Sequence, residues 1–250
     1  MKTVVIVPSR LASTRLPEKP LAKLLDKEMI RWIYDALKEN SRWDLYFAVD
    51  CQKLLNFCDE YKIPAIYTDP QLPSGTDRVS AAYRKIGKKY QFIINAQGDE
   101  PLIRAEYLSS FIDFVEKFDK RTFQKSIFTL AKEEKNIESF NNPAHVKAVC
   151  NDEGRALYFS RATVPYPREK SFDFTFLKHY GIYGYSPQAL KKFVELKPGK
   201  LEMIEKLEQL RWLENGNDIF VQKVDFDLIS IDTRQDIETF ENYVKKTLRN

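Results

Sequence analysis

Residues 3–20 read TVVIVPSRLASTRLPEKP, an unbroken β-branched run that gives way to a proline-punctuated loop of cations and hydroxyls. Five consecutive β-branched residues, Thr3–Val7, suit a strand buried on both faces, as in the middle of a parallel sheet. The residues that follow alternate in period. Positions 29–39 place Ile30, Ile33, Tyr34 and Leu37 on one helical stripe, and Leu45–Val49 reads as strand. Helix at 51–61, strand at Ala65–Thr68, helix at 76–90, strand at Phe92–Asn95 and helix at 104–118 continue the pattern. In the last helix Leu108, Phe111, Ile112 and Val115 face inward. Strand then helix, four times over with short connections, predicts an α/β fold with a mostly parallel central sheet.

The second half is less regular. Ser126–Leu130, His145–Val149, Ala156–Phe159 and Gly181–Tyr185 read as strands without long helices between all of them. Helices at 187–195 and 200–215, a strand at 219–224 and a final helix at 233–248 complete the chain. The expectation is one domain over 1–250, with a mixed or antiparallel extension and a dimerisation or substrate-pocket elaboration around 150–190.

Composition excludes several function classes. The chain has 250 residues, with 40 Lys+Arg against 36 Asp+Glu, a net charge of +4. That surplus is too thin for a nucleic-acid-binding face, and no block of five like charges forms a basic tail. Only eight glycines occur, where average usage would give about 17. None is spaced as G-x-G or as a Walker A loop, so phosphate binding falls to charged side chains. Three cysteines without C-x-x-C spacing and two histidines argue against a zinc cluster and for a reduced, cytoplasmic chain. The N-terminal apolar run is too short for a signal peptide, and no stretch approaches the ~20 apolar residues of a membrane span.

Ligands of open parallel sheets bind at the carboxyl ends of the strands, and three polar loops fall there. The first, Pro8–Pro20, holds Arg10, Ser13, Thr14, Arg15 and Lys19 on a proline-stiffened backbone. Arginine forks take phosphate oxygens in pairs and lysine adds a point charge, so the loop is a candidate polyphosphate clamp; an exposed basic loop is the alternative. The second, PSGTDR at 73–78, opens a helix that Ser74 or Thr76 can cap, with Gly75 allowing close approach of a flat ligand. An ordinary N-cap turn explains it as well. The third, QGDEP at 97–101, delivers Asp99 and Glu100 to the sheet edge beside the Gly98 turn. A carboxylate next to a phosphate clamp points to Mg²⁺, which takes one or two carboxylates plus substrate phosphates. Asp232 is a candidate second carboxylate, although spacing alone favours an N-cap of the last helix. Arg161 reads as an anion ligand or a solvated cation, His179 as a satisfied structural histidine, and Glu208 and Gln209 as an exposed polar face in mid-helix.

Taken together, IVPSRLASTRLPEKPL, LPSGTDR, INAQGDEP, ALYFSRATVPYPR, KHYGIYGY and MIEKLEQLRWLENG, in this order, closely resemble the 3-deoxy-manno-octulosonate cytidylyltransferase (CMP-Kdo synthetase) family from residue 3 to about 240. The resemblance implies a Rossmann-like nucleotidyltransferase fold, a homodimer, CTP and Kdo as substrates, Mg²⁺ as cofactor, and a role in lipopolysaccharide biosynthesis. It implies that Arg10, Ser13, Arg15 and Lys19 bind the triphosphate, and that Ser74, Gly75, Thr76, Arg78 and Gln97 lie near the cytidine. Asp99 and Asp232 match the magnesium ligands; Arg161, His179, Tyr183, Glu208 and Gln209 match the sugar-acid pocket, with Glu205 a weaker neighbour. Lys19, Arg10, Arg15 and Asp99 would carry the chemistry. Two departures stand out: Glu18 replaces the family's usual glycine in R-L-P-G-K-P, and Ser9 stands where alanine is usual. His145 sits where a small polar residue or an acid is more familiar, and no function attaches to it. The same chemistry on 8-amino-Kdo or another 3-deoxy ulosonate is the alternative. A catalytically silent nucleotide-binding protein is the remote one, disfavoured because Lys19, Asp99 and Asp232 are all present.

Overall fold

A computed structural model of the protein describes residues 1–13, 15–169 and 174–247. Thr14, singled out above in the first loop, lies outside the described residues. In chain order the first elements are β1 (Thr3–Ser9), β2 (Lys23–Leu24), β3 (Lys27–Glu28), α1 (Met29–Leu37), β4 (Trp43–Val49), α2 (Gln52–Glu60), β5 (Ala65–Tyr67), α3 (Gly75–Ile86), β6 (Phe92–Asn95) and α4 (Ala105–Val115). There follow α5 (Lys120–Lys125), β7 (Ile127–Glu134), α6 (Ile137–Asn141), β8 (Lys147–Cys150), β9 (Ala156–Ser160), β10 (Phe176–Tyr185), α7 (Pro187–Glu195), α8 (Lys200–Glu205), α9 (Gln209–Glu214), β11 (Ile219–Val224) and α10 (Arg234–Thr247). Two compact units result: Met1–Ser110 with Asp227–Asn250, and Phe111–Phe226.

The first unit is the parallel α/β pattern that the alternating periods predict. β1 pairs in parallel with β4 on one side and β6 on the other, and β5 adds in parallel beyond β4. Its position between two neighbours explains its composition: Val4, Val5, Ile6 and Val7 are all 0% exposed, and full burial of each such side chain contributes about 1.5–3 kcal/mol. The chain steps outward from β1 to β4 to β5 and then returns to the other side of β1 at β6. That reversal makes a topological switch at the carboxyl ends of β1 and β6, the place where such sheets bind ligands. A separate cluster of Leu16, Leu24, Met29, Ile231, Phe240 and Val244 packs the loop after β1 against α10.

The second unit is mixed. β10 runs antiparallel to β7 and to β8, β9 pairs antiparallel with β8, and β11 pairs in parallel with β7. The strand expected at Gly181–Tyr185 begins five residues earlier, at Phe176, and carries a bulge between Tyr180 and Tyr183. The helix expected over 200–215 is instead two short ones. Lys206 stands in the left-handed region at φ 55 and ends α8, and α9 begins at Gln209. The reason is a buried ion pair: Arg211 donates from Nε to Glu202 Oε2 at 2.7 Å and from Nη2 to Glu202 Oε1 at 2.5 Å. In one straight helix, residues nine apart would point about 180° from each other. The break turns Arg211 back onto Glu202 and buries Leu207.

Candidate active site

The three loops of the first unit converge as their strand order requires. A Cβ added to Gly98 would stand 2.5 Å from the Pro8 carbonyl oxygen, so only glycine fits where the QGDEP turn crosses the start of the first loop. A Cβ on Gly75 would meet the Pro8 ring at an ordinary 3.7 Å, so Gly98, not Gly75, carries the steric demand. The Asp99 carbonyl accepts a hydrogen bond from Ile231 N–H at 2.9 Å, and Ser230 Oγ donates to the buried Glu100. These bonds bring the segment before α10 alongside QGDEP. They also occupy Glu100 as a structural acceptor, leaving Asp99 and Asp232 side by side.

Four sequence-predicted residues form one network there. Lys19 Nζ donates to Asp99 Oδ2 at 2.7 Å and to Asp232 Oδ1 at 2.8 Å, and Arg15 pairs with Asp232 Oδ2 at 3.0 Å. Burial opposes the Lys19 charge, but the attraction of Asp99 and the hydrogen bonds that Lys19 donates to both carboxylates outweigh it and raise its pKa above the ordinary lysine value. Burial likewise works against the Asp232 charge, yet the Lys19 hydrogen bond and the charges of Lys19 and Arg15 hold its pKa below the usual carboxylate range. Asp232 is not the N-cap that spacing favoured. Thr233 is: its Oγ1 accepts from Asp236 N–H, while Asp236 Oδ2 accepts from the N–H groups of Thr233 and Asp232. This reciprocal box satisfies the helix start and leaves the Asp232 side chain to the cations.

The remaining first-unit candidates are disposed around this network. Arg10 is exposed on the loop. Ser13 Oγ accepts from Leu16 N–H, and Ser74, not Thr76, caps α3 by accepting from Asp77 N–H. Thr76 and Arg78 are buried, and Arg78 donates to Thr68 Oγ1 at 2.6 Å and to the Asp69 carbonyl. Gln97 lies half-buried between β6 and Gly98. Glu18 explains why a glycine can stand in its place: it sits at φ 54, a left-handed conformation that costs a side chain but not glycine. Its carboxylate pairs with Lys53 instead of facing the cations of its own loop.

The other five candidates belong to the second unit. His179 Nε2 lies 2.9 Å from Thr129 Oγ1, and that hydroxyl donates to the Ile182 carbonyl at the bulge, which assigns the ring proton to Nε2. Phe159 and Tyr183 flank the ring at 4.9 and 5.4 Å. Burial pushes its pKa down to about 3. Burial, followed by the neighbouring Tyr185 and Glu208, pushes the Tyr183 phenol well above its ordinary value. Gln209 is 3% exposed, not on an exposed face, and its Nε2 finds no acceptor among the described residues. Arg161 is held by backbone, donating from Nε to the Glu205 carbonyl at 2.8 Å and from Nη1 to the Pro143 carbonyl at 3.0 Å. Sequence reasoning gave Glu205 little weight and Lys147 none. The signal for Lys147 was a lone lysine in an otherwise apolar strand run. The His145 ring bonds Ser139 Oγ, and its backbone carbonyl accepts from Lys147 Nζ at 2.7 Å. Among the described residues no cluster of three or more His, Cys, Asp or Glu side chains forms a metal site, and no helix is long and apolar enough to cross a membrane.

Residues 4–219 match the cytidylyltransferase family. A 3-deoxy-manno-octulosonate cytidylyltransferase of Thermodesulfovibrio yellowstonii is 41% identical over 253 residues, covering 96% of this chain and 97% of that protein. An 8-amino-3,8-dideoxy-manno-octulosonate cytidylyltransferase of Shewanella sp. strain ANA-3 is 36% identical over 243 residues, covering 96% and 98%. Among solved structures, a CMP:2-keto-3-deoxy-manno-octonic acid synthetase in complex with CTP superposes with a TM-score of 0.89 at 29% identity, covering 99% of this chain and 100% of that one.

Proposed function

The chain belongs to the cytidylyltransferase family, and from that premise we propose that it transfers CMP from CTP to the anomeric C2 hydroxyl of 3-deoxy-manno-octulosonate (Kdo), releasing pyrophosphate, for lipopolysaccharide biosynthesis. The observation that carries the reading is the cluster of Arg15, Lys19, Asp99 and Asp232 at the switch of the parallel sheet. It combines a phosphate-binding cation pair with two carboxylates, as a nucleoside triphosphate and its counterion require.

In the transfer, the sugar's C2 hydroxyl gives up its proton to water as its oxygen forms a bond to the α-phosphorus, the bond from that phosphorus to the bridging oxygen breaks, and pyrophosphate leaves with the electron pair. Such a displacement draws on positioning and charge stabilisation more than on covalent chemistry. Arg10, Arg15 and Lys19 offset the charge that builds on the departing phosphates. Ser13 supports the loop through Leu16 N–H, and Ser74, Gly75, Thr76, Arg78 and Gln97 frame the cytidine side. Asp99 and Asp232 fit a divalent cation, because each already directs an oxygen at one cationic group, within 2.8 Å of the Lys19 ammonium. A Mg²⁺ held by this pair supplies Lewis-acid polarisation of phosphate oxygens when bound.

Arg161 pairs with the sugar carboxylate, while His179, Tyr183, Glu208 and Gln209 read its hydroxyls. Their environments support this division. His179 is neutral at working pH and Tyr183 keeps its proton, so both offer hydrogen bonds without charge. The buried Gln209 amide has a donor to spare. Free Cys51, Cys58 and Cys150 fit a reducing cytoplasm, and exposed Leu157, Met203 and Ile204 of the second unit fit a homodimer.

A second reading, the same transfer to 8-amino-3,8-dideoxy-manno-octulosonate, is favoured by the relative of that name. Pyrophosphate release, measured with CTP, UTP, ATP and GTP crossed against both ulosonic acids, tests both. Release with CTP and Kdo is expected, release with CTP and only the 8-amino sugar selects the second reading, and no release with either acid overturns the proposal.

A further inference from the structure

Lys147 is the one lysine among the described residues that is fully buried, at 0% exposure. Its ammonium has three protons and three acceptors: the carbonyls of Asn142 at 3.1 Å, His145 at 2.7 Å and Arg161 at 2.7 Å. Burying a lysine charge costs several kcal/mol unless every donor is satisfied, and here each one is. Burial lowers its pKa, and the nearby Glu205 carboxylate counters that effect. An apolar side chain of the same length would leave the His145 and Arg161 carbonyls without that donor, while the Asn142 carbonyl would keep the His145 N–H at 3.1 Å. The lysine therefore staples the 142–145 turn to the residue that follows β9.

Glu205 holds the same residue from the other side. Its Oε1 accepts from Ser160 Oγ at 2.6 Å, its Oε2 from Arg161 N–H at 2.9 Å, and its backbone carbonyl from Arg161 Nε at 2.8 Å. Among the described residues the Arg161 guanidinium thus donates only to neutral carbonyls, while the Glu205 carboxylate accepts from the Ser160 hydroxyl and the Arg161 N–H. The guanidinium is fixed in place without a side-chain counter-charge, which is the state a carboxylate-binding arginine needs.

We infer that Lys147 and Glu205 are positioning residues that clamp Arg161 as the carboxylate ligand of the sugar acid. The inference rests on the proposed sugar site. A displaced guanidinium weakens its fork on the carboxylate, so loss of the clamp appears in the sugar's Michaelis constant and not in that of the nucleotide.

The test is steady-state pyrophosphate release by the full chain with CTP and Kdo. Glu205→Gln is expected to raise the KM for Kdo by about tenfold while the KM for CTP stays within about twofold. In an Arg161→Ala background the same change should add nothing, since the residue it positions is gone. Lys147→Met is expected to act in the same way. Should it fail to fold by circular dichroism, Glu205→Gln decides the matter. A normal Arg161→Ala effect with the Kdo KM of Glu205→Gln unmoved, or a fully additive double variant, overturns the clamp alone. An active wild type whose Kdo KM ignores Arg161→Ala overturns the sugar site beneath it.

Discussion

Lys19 has two demands on it that oppose each other. Its ammonium is the cation suited to a departing pyrophosphate, yet it rests between Asp99 and Asp232, the pair suited to a divalent ion. Removing it should therefore move two measurements in opposite directions. Lys19→Met is expected to lose about 2–4 kcal/mol of transition-state stabilisation, by analogy with deletion of an oxyanion donor. The same change should tighten Mn²⁺ binding, followed by electron paramagnetic resonance without nucleotide, by at least about tenfold, because two competing charged hydrogen bonds, each worth ~1.5–3 kcal/mol, are gone. Asp99→Asn should abolish that binding, and retention of wild-type Mn²⁺ affinity by Asp99→Asn would remove this aspartate from the ion's ligands. The meeting of the basic loop with Asp99 was legible because three cations on a stiff loop and an acid at the end of an apolar strand each leave a compositional mark. Asp232 was ambiguous because an N-cap and a metal ligand call for the same residue type. Only the hydrogen bonds of Thr233 and Asp236, which do the capping, separate the two. Glu18 was an anomaly in the sequence for a similar reason: neither its left-handed backbone nor its partner Lys53 has a local signature.

β10 shows how a strand can hold a titratable group in one protonation state. His179 is enclosed by Phe159, Tyr183 and the Thr129 hydroxyl, and its pKa is pushed down to about 3 from an ordinary 6.5. The folded state then resists a proton that the unfolded chain accepts, so between about pH 6.5 and 3 the unfolded state binds more protons and stability rises with pH. The stability from the neutral ring is fully present above the unfolded value and is lost as pH falls toward the folded one. The slope from one such proton is at most about 1.4 kcal/mol per pH unit. Urea denaturation of wild type and His179→Gln between pH 7 and 4.5 should show the wild type losing stability more steeply, with the difference between the two shrinking as pH falls. Parallel curves would mean that His179 takes up its proton as readily in the folded protein as in the unfolded chain. The bulge that closes Thr129 onto this strand was not legible, since the period-2 pattern runs through it unchanged. The break between α8 and α9 escaped for a related reason: the apolar spacing over 200–215 fits a single helix, and what interrupts it is the Glu202–Arg211 pair, a contact without a local sequence mark.

The two units differ in how much of each the sequence discloses. In the first, neighbouring strands are joined by helices with their own period, so local patterns nearly determine the parallel sheet. In the second, β7 pairs with β10 across an intervening stretch that contains α6, β8 and β9, and no local signal specifies that register. What the second unit does show is three large apolar side chains left open to solvent. Ile204 is 77% exposed, Leu157 57% and Met203 54%, and the Ser160–Glu205 hydrogen bond ties the strand that carries Leu157 to the helix that carries the other two. If this surface joins two copies, the protein should sediment as two chains of 29.4 kDa each. Ile204→Glu would then place a charge where its partner copy offers no water, weakening the dimer by about 100-fold or ~2.7 kcal/mol while leaving the thermal unfolding of the single chain little changed, because a residue this exposed contributes little to its core. Sedimentation velocity across a dilution series of wild type, Ile204→Glu and Leu157→Lys measures it. A wild type that sediments as one chain at every concentration would contradict the homodimer, and a dimer that survives both substitutions would place its interface on another face.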